Sequence, residues 1–380
     1  MKRQDKVDLI RDVYNNFEPT VYLFPTMKCN LNCCMCYSGS AMHKSVKDEL
    51  SDEEYLNLID NLVEQGYARF DISGGEPFLR DYLLYKLAKK IKQLGARLQV
   101  VTNGTFLVST LKKYPFEADD FDFIAVSLDS PDEMTHNKIR GNDKAYSIAI
   151  EGIKELVAKG FTVGINAVYM SENSGQLSEL LQLAKRLGVT FVHILRNRYV
   201  SPLLVSINSF DGLDWYNVYE RIEESLNSMP EELFVIVTLP QYIHLNLTKR
   251  LRGRFRDKNN ILIRTDCVQG CGAFNRNIVI TADGFVTGCV AMINESKFRV
   301  GNIRETSISD LLSKFQDWIE QFNMRNLNLY EKSVCGHCET FYFCKGGCPM
   351  VAEKFLANWN KSDPSCNKAY KESYVNDKIP

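Results

Sequence analysis

The sequence predicts an α/β fold: a partial (β/α)6 barrel of the TIM type, followed by a small cysteine-rich domain at the C-terminal end. Two observations support this prediction. From about residue 20 to 225, short apolar runs alternate with loops and amphipathic helical segments. The chain also contains 12 cysteines, which fall into spaced groups near the start and in the last third. Alternation of strand and helix is typical of parallel sheets.

Six strand-like runs and the helices between them define the predicted barrel. Four helical segments end at glycines suited to a left-handed C-terminal cap, and Ser51 and Glu54 have the spacing of a capping box. The six strand-like runs are 21–26, 68–73, 96–102, 122–128, 162–170 and 190–195. Right-handed βα units curl into a barrel or part-barrel. A doubly wound open sheet fits the pattern nearly as well, because strand order is not readable from the sequence.

The predicted domain boundaries follow from these runs. Residues 18–225 form the barrel, 226–265 a linker, and 266–380 the cysteine-rich domain. The linker includes an apolar FVIVTL run and a basic KRLRGRFRDKNN run, which we interpret as solvated. Residues 277–289 are expected to form a hairpin that turns at Asp283 and Gly284. Residues 307–322 form an amphipathic helical pattern.

Composition excludes several classes of protein. The 380 residues have a formal net charge of −1, so neither nucleic acid nor an anionic membrane is an expected partner. No apolar run approaches the roughly 18 residues of a membrane span, and the first residues lack the pattern of a signal peptide. We therefore expect a cytoplasmic protein whose thiols are reduced. In that setting, spaced cysteines indicate metal or cluster ligation and not disulfides.

The first cysteine group directly follows the first strand-like run, at the functional end of a parallel sheet. Its pattern is Cys29-x3-Cys33-x2-Cys36 on one short loop. Three thiolates can hold three irons of a [4Fe–4S] cube and leave the fourth iron open. A zinc site completed by a distant histidine is the alternative, but this spacing does not match the paired cysteines of zinc ribbons. The pattern favours a cluster.

With this motif, the sequence resembles the radical S-adenosylmethionine (SAM) superfamily. Further matching segments lie within or just after the second to fifth strand-like runs, in the order expected of that family. They are Gly74-Gly75-Glu76-Pro77, Thr102-Asn103-Gly104, Ser127-Leu128-Asp129, Arg140-Gly141 and Asn166.

The resemblance implies that the open iron binds the amino and carboxylate groups of SAM, and that an electron from the cluster cleaves the sulfonium to a 5′-deoxyadenosyl radical. By the same resemblance, Glu76 contacts the methionyl ammonium of SAM, and Ser127 and Arg140 contact its ribose and carboxylate. A zwitterion needs both an anionic and a cationic partner. The implied cofactor-binding residues are Tyr37, Gly74, Gly75, Glu76, Pro77, Asn103, Ser127, Arg140 and Asn166.

The later cysteines resemble the SPASM extension of the same superfamily, which carries two auxiliary [4Fe–4S] clusters. The resemblance implies two ligand sets, here called auxiliary sites I and II. Site I comprises Cys267, Cys271, Cys289 and Cys348, and site II comprises Cys335, Cys338, Cys344 and Cys366. Two structural zinc sites are the alternative reading of eight cysteines. Eight thiolates for two cubes favour electron transfer over substrate binding at an open iron.

The predicted activity is oxidative modification of a peptide or protein side chain by a radical SAM maturase. One alternative is dehydrogenation or epimerisation of a small molecule such as a sugar or aminocyclitol. A second is an iron–sulfur electron carrier without SAM chemistry. Expected partners are a flavodoxin or ferredoxin as electron donor and a separate peptide-recognition protein. Candidate catalytic residues near strand ends are Tyr169, His193 and Arg196.

Overall fold

The computed structural model describes residues 1–15, 18–39, 48–197, 215–239, 245–265, 271–364 and 366. An 11-stranded sheet runs through them in the order β11-β10-β9-β1-β2-β3-β4-β5-β6-β7-β8. The strands are β1 Thr20–Leu23, β2 Arg69–Ile72, β3 Arg97–Thr102, β4 Phe123–Ser127, β5 Val163–Tyr169, β6 Phe191–Arg196, β7 Phe234–Leu239, β8 Ile261–Thr265, β9 Asn277–Ile280, β10 Phe285–Thr287 and β11 Gly301–Asn302.

Strands β1 to β8 are parallel and neighbour one another in chain order. Strand order never reverses among them, which distinguishes a curled part-barrel from a doubly wound sheet. The predicted α/β partial barrel is therefore confirmed, and all six expected strands are present. Within the described ranges, β8 and β11 are the two edge strands of the sheet, and no strand pairing joins them.

The helices alternate with these strands in the barrel and cluster together after β11. They are α1 Arg3–Asn15, α2 Asp52–Glu64, α3 Asp81–Gln93, α4 Leu107–Lys113, α5 Glu133–Arg140, α6 Ala145–Ala158, α7 Leu177–Leu187, α8 Trp215–Asn227, α9 Leu245–Arg254, α10 Ile308–Ser313, α11 Phe315–Lys332, α12 Phe341–Cys344 and α13 Pro349–Leu356. No helix in the described ranges is long and apolar enough to cross a bilayer.

The prediction of a linker at 226–265 is wrong. This segment holds β7, α9 and β8, which extend the parallel sheet by two strands. The basic run falls largely in α9, where Arg250 and Arg254 pair with the buried carboxylate of Glu223 on α8 at 2.8 and 2.5 Å. These charges fasten one barrel helix to the next, and the barrel extends to Thr265.

Helix α1 closes the barrel from the end where the strands begin. Its Val7, Ile10 and Val13 pack with Phe123 of β4 and Phe191 of β6 on the inner face of the sheet. A separate, larger cluster lies between the outer face and the helices, and continues into the C-terminal segment. This packing places apolar side chains of α1 against the first residues of β4 and β6.

The expected hairpin forms between β9 and β10, and Gly284 adopts a left-handed φ of 84° at the turn. Strand β9 also pairs in parallel with β1, with Val21 opposite Ile278. The cysteine-rich segment thus joins the barrel at the strand that leads into Cys29. This pairing fixes where the later cysteines lie relative to the first group.

A second connection between the two parts is ionic. Arg304, which follows β11, donates to both carboxylate oxygens of Glu54 at 2.5 and 2.9 Å. Glu54 also completes the predicted capping box with Ser51. The Arg304 bonds, followed by those from Ser51, lower the pKa of Glu54 to about 2.

We expect Arg304→Ala to lower the free energy of unfolding by up to about 1 kcal/mol at pH 7, because both side chains are partly exposed. A depressed carboxylate pKa stabilises the fold above the unfolded value of about 4.3, and the contribution is lost as pH falls towards 2. In urea unfolding, Arg304→Ala should therefore lose the same amount of unfolding free energy at pH 6 as at pH 8. A loss that disappears between those two pH values would contradict this assignment.

Candidate functional site

The loop that carries the first cysteine group is fixed by the helix that ends at Arg140. The amide of Asn32 donates to the Arg140 carbonyl at 3.2 Å, and that of Cys34 donates to the Ile139 carbonyl at 3.1 Å. Cys33 packs among apolar side chains from the loop and from α5 and α6. The loop is therefore held rigidly at the C-terminal end of β1, where the barrel interior opens.

The three thiols of this loop lie close to one another in a dry environment. Burial raises the pKa of Cys29 to about 12, and the neighbouring Cys33 and Cys36 add to that shift. Burial also raises the pKa of Cys33, although the Arg140 cation opposes the shift. Three converging sulfurs in a desolvated pocket fit a cationic metal core that compensates the charge of their thiolates.

The spacing of the sulfurs fits a cluster better than a zinc ion. A tetrahedral zinc site with Zn–S bonds of about 2.3 Å holds its sulfurs about 3.8 Å apart. Among the described residues, no three cysteine sulfurs lie mutually within 4.8 Å. The one trio of potential ligands that does is a carboxylate group, Glu117, Asp119 and Asp120, which is paired with lysines. A cube of four irons, which is wider than a single ion, suits the cysteine arrangement.

The Gly74–Pro77 segment runs directly beside the cysteine loop. The amide of Gly75 donates to the Thr26 carbonyl at 2.9 Å, and that of Glu76 donates to the Lys28 carbonyl at 2.8 Å. A Cβ on Gly75 would lie 1.9 Å from the Lys28 carbonyl oxygen. The glycine is thus required for close approach to the protein's own cysteine loop, which adds a structural reason to the cofactor contact implied by the resemblance.

The carboxylate of Glu76 links the loop after β2 to the end of β3 through hydrogen bonds. Its carboxylate accepts from the Thr102 hydroxyl at 2.7 Å, the Asn103 amide at 2.8 Å and the Phe78 amide at 3.1 Å. Burial raises the pKa of Glu76 to about 7, while these hydrogen bonds oppose the shift. Both oxygens are engaged within the protein, so Glu76 shapes the site in addition to the ammonium contact that the resemblance implies. Pro77 follows it and opens a short 3-10 turn.

Asn103 lies between Glu76 and the cysteine loop. Its side-chain amide donates to the side-chain oxygen of Asn30 at 3.0 Å and lies 3.8 Å from the Cys29 sulfur. Tyr37, which follows Cys36, contacts the Ser73 hydroxyl through its own hydroxyl at 3.1 Å, next to the Gly74–Pro77 segment. Both predicted residues therefore lie around the first cysteine group.

Arg140 is buried beside Cys33 and paired with Asp129, for which the sequence predicts no role and which is the last residue of the Ser127–Asp129 segment. Its Nε donates to Asp129 at 2.6 Å, and its Nη1 lies 3.8 Å from the Cys33 sulfur. Asp129 also accepts from the Val168 amide at 3.0 Å. Its position just past a predicted strand, eleven residues before an arginine, was the available signal. Nearby His136 is neutral at pH 7, because burial lowers its pKa to about 4.

Three predicted residues lie side by side on the inner face of the sheet. Ser127 of β4 is opposite Asn166 of β5, which is opposite His193 of β6. His193 shares a 2.7 Å hydrogen bond with Thr238 of β7. The side-chain oxygen of Asn166 is buried and has no hydrogen-bond partner among the described residues. A buried acceptor without a partner is costly and favours a ligand with a donor at this position.

The three candidate catalytic residues are not brought together. Tyr169 belongs to the outer core and donates to the Ser174 carbonyl at 3.2 Å, on the side away from the barrel interior. His193 lies inside the barrel against Tyr14 of α1. Arg196, at the end of β6, is opposite Tyr169 in the strand register, and its charge lowers the pKa of the Cys348 thiol, against the upward shift caused by burial. Arg196 therefore lies near Cys348 of auxiliary site I.

Six of the later cysteines in the described ranges form two groups of neighbours. Cys271 lies near Cys289 and Cys348, and burial, followed by the charge of Cys289, raises its pKa to about 12. Cys344 lies near Cys366 and Cys335, and burial, followed by the charge of Cys366, raises its pKa. Cys338 lies in the same segment, with its sulfur 3.1 Å from the Thr340 hydroxyl. Cys267, the remaining member of site I, lies outside the described residues.

Comparisons with known families match both parts of the chain. The model of the radical SAM superfamily matches residues 23–184. A model of an iron–sulfur cluster-binding domain, SPASM, matches residues 271–339. The two matches contain the first cysteine group and four of the eight later cysteines, namely Cys271, Cys289, Cys335 and Cys338.

Curated relatives span nearly the same length as this chain. It is 26% identical over 368 residues to the Fe-coproporphyrin III synthase of Methanosarcina barkeri, covering 92% of this chain and 88% of the relative. It is also 26% identical over 349 residues to the AdoMet-dependent heme synthase of the same organism, covering 90% of this chain and 94% of the relative.

Solved structures share the fold at lower identity. The structure of anSMEcpe with bound AdoMet and Kp18Cys peptide has a TM-score of 0.66 and 18% identity, covering 94% of this chain and 96% of that one. Streptococcus suis SuiB bound to precursor peptide SuiA has a TM-score of 0.65 and 16% identity, covering 96% and 80%. These structures show that the fold is shared. The two family matches show that the chain belongs to the radical SAM superfamily and carries a C-terminal SPASM iron–sulfur domain.

Proposed function

We propose that this enzyme cleaves SAM reductively and uses the resulting radical to oxidise a C–H bond of an organic substrate. The observation that carries the proposal is the loop of three neighbouring thiols at the C-terminal end of β1, with Arg140 buried beside Cys33. On the inner face of the sheet, the side-chain oxygen of Asn166 is buried without a hydrogen-bond partner among the described residues. Cys29, Cys33 and Cys36 would hold a [4Fe–4S] cluster, which would supply the electron that splits the sulfonium of SAM into methionine and a 5′-deoxyadenosyl radical.

The chain's own residues shape the site for this chemistry. Helix α1 covers the inner-face residues Phe123 and Phe191, which are buried from solvent. Asp129 neutralises the Arg140 cation beside Cys33 and keeps its guanidinium in one place. Asn103 holds the loop that carries Cys29 through Asn30. A reactive carbon radical requires such fixed geometry.

The auxiliary sites support a two-electron oxidation as the overall reaction. Removing a hydrogen atom leaves a substrate radical with one further electron to lose. The two sets of neighbouring cysteines offer fully thiolate-ligated acceptors, with Cys267 proposed as the fourth ligand of site I. The electron then leaves to an external carrier, for which a flavodoxin or ferredoxin is proposed. The same class of carrier would supply the first electron.

For the substrate, we propose a carboxylated tetrapyrrole of the kind named in the curated relatives, a small molecule like those in the first alternative above. The support is the similarity to the Fe-coproporphyrin III and heme synthases over about nine tenths of the chain. A peptide side chain is the second candidate, favoured by the peptide-bound structures of the same fold, and a separate recognition protein would then present the peptide.

The experiment is anaerobic turnover of the reconstituted enzyme with SAM and dithionite. We expect 5′-deoxyadenosine in equal amount to methionine, and faster formation with iron coproporphyrin III, whose mass should change. Stimulation only by short peptides encoded beside the gene would favour the peptide substrate instead. Intact SAM under every condition would contradict the proposal and favour an electron carrier.

A further inference from the structure

A single left-handed turn separates the two auxiliary sites. Cys344 lies with the site II cysteines and Cys348 with those of site I, only four residues later. The three residues between them, Lys345, Gly346 and Gly347, all have positive φ, at 52°, 80° and 75°. Consecutive left-handed residues turn the chain sharply. This turn directs its two flanking cysteines to different ligand sets.

The carbonyl groups of this turn converge on one buried cation, Arg325 of α11. Its guanidinium donates to the carbonyls of Lys345 at 2.9 Å and Gly346 at 3.3 Å. It also donates to the carbonyls of Trp359 at 2.7 Å and Lys361 at 2.8 Å. Only 2% of the residue is exposed. Carbonyl acceptors satisfy the N–H groups without cancelling the positive charge, so the charge itself remains to be balanced.

The opposite side of the turn is held by a buried carboxylate, Asp363. Its backbone amide donates to the Gly346 carbonyl at 2.8 Å, and its side chain accepts from the Cys348 amide at 3.0 Å. A Cβ on Gly347 would lie 2.4 Å from the Asp363 Cβ. The turn is therefore clamped between a cation and an anion, both in contact with the chain that links the two sites.

The charge of Arg325 acts on both auxiliary sites. Burial lowers the pKa of Arg325 from its usual range. The negative charges of Cys271 and Cys348 of site I oppose this shift, followed by those of Asp363 and of Cys335 of site II. Electrostatic interactions are strong where water is excluded. A thiolate-ligated cluster becomes more negative by one charge when it accepts an electron, so a fixed buried cation favours its reduced state.

We propose that Arg325 is a positioning residue that serves both auxiliary clusters as a shared counter-charge and raises both of their reduction potentials. The negative charge of Asp363 lowers the reduction potentials of the same two clusters. The inference rests on the proposed function of the two cysteine sets as cluster sites. In each turnover, the electron given up by the substrate radical would be accepted here, before it passes to a one-electron carrier protein.

The test is an EPR-monitored redox titration of the reconstituted full-length enzyme. We expect Arg325→Gln to lower the potentials of both auxiliary clusters and Asp363→Asn to raise them. Arg325→Lys, which keeps the charge, should stay near the wild-type values. Lys314→Gln removes an exposed charge from the start of the same helix and should change neither potential. The N-terminal cluster should be unaffected in all variants.

Opposite shifts in the Gln and Asn variants cannot arise from a general loosening of the domain. The inference is overturned if Arg325→Gln shifts the potentials no more than Lys314→Gln, or if Asp363→Asn shifts them downward. If Arg325→Gln fails to retain its clusters, the Arg325→Lys and Asp363→Asn titrations decide. A wild-type protein with iron for the N-terminal cluster alone would instead refute the proposed auxiliary sites, which is a different result from clusters with unmoved potentials.

Discussion

Replacing Cys29 with alanine is expected to reduce 5′-deoxyadenosine formation to background and to remove about four irons per chain. Cys29 is one of three neighbouring thiols on the loop after β1, and no other described cysteine lies with them except Cys34. Two thiolates cannot hold a cube that needs three protein ligands and one open iron. Iron and sulfide analysis, together with chromatographic detection of 5′-deoxyadenosine, measures both effects.

Cys34→Ala is the matched control for this experiment. Cys34 lies on the same loop and is held through its backbone amide, which alanine retains. Its thiol is half-buried, and burial raises its pKa. We expect this variant to keep wild-type iron content and activity. Loss of the cluster in Cys34→Ala, with retention in Cys29→Ala, would mean that the ligands of the first site are assigned incorrectly.

Gly75→Ala is expected to destabilise the protein by about 3 kcal/mol or more and to impair assembly of the N-terminal cluster. The new methyl group would lie 1.9 Å from the Lys28 carbonyl oxygen and 2.8 Å from the Met27 carbonyl carbon. Both are backbone atoms that lead directly into Cys29, so the cysteine loop itself must move. Urea unfolding and iron content per chain measure the two consequences.

Gly253→Ala provides the control with the opposite expectation. Gly253 is exposed on α9, and a Cβ there would meet no atom within 4 Å. Alanine has the higher helix propensity, so this variant should be about 0.5–1 kcal/mol more stable than wild type. If Gly75→Ala were as harmless as Gly253→Ala, the close packing of the Gly74–Pro77 segment on the cysteine loop would be wrong.

Much of the barrel could be predicted because its signals are local. The six strand-like runs, the glycines at helix ends and the Ser51–Glu54 cap depend on neighbours within a few residues. The last two barrel strands were missed although the FVIVTL run was visible. The helix between them is strongly polar, and its arginines are satisfied by Glu223 of the preceding helix. Such pairing depends on tertiary structure, which no local pattern reveals.

The sequence predicted which residues form the candidate site, but it did not predict their hydrogen-bond and ion-pair partners. Resemblance and spacing selected the three cysteines, Glu76 and Arg140. They could not reveal that Asp129 pairs with Arg140, because eleven residues and a helix separate them in the chain. The inward position of Asn166 follows from strand alternation, but the missing partner of its oxygen is visible only in three dimensions. Helix α1, which packs against β4 and β6, gave no signal beyond its polar composition.

The most direct test of the account is the EPR spectrum of the dithionite-reduced enzyme with and without SAM. An iron left open by Cys29, Cys33 and Cys36 binds SAM and should change the signal of one cluster, which is missing in Cys29→Ala. The signals of the auxiliary clusters should stay the same. Identical spectra with and without SAM, in protein that holds all its iron, would contradict the central claim.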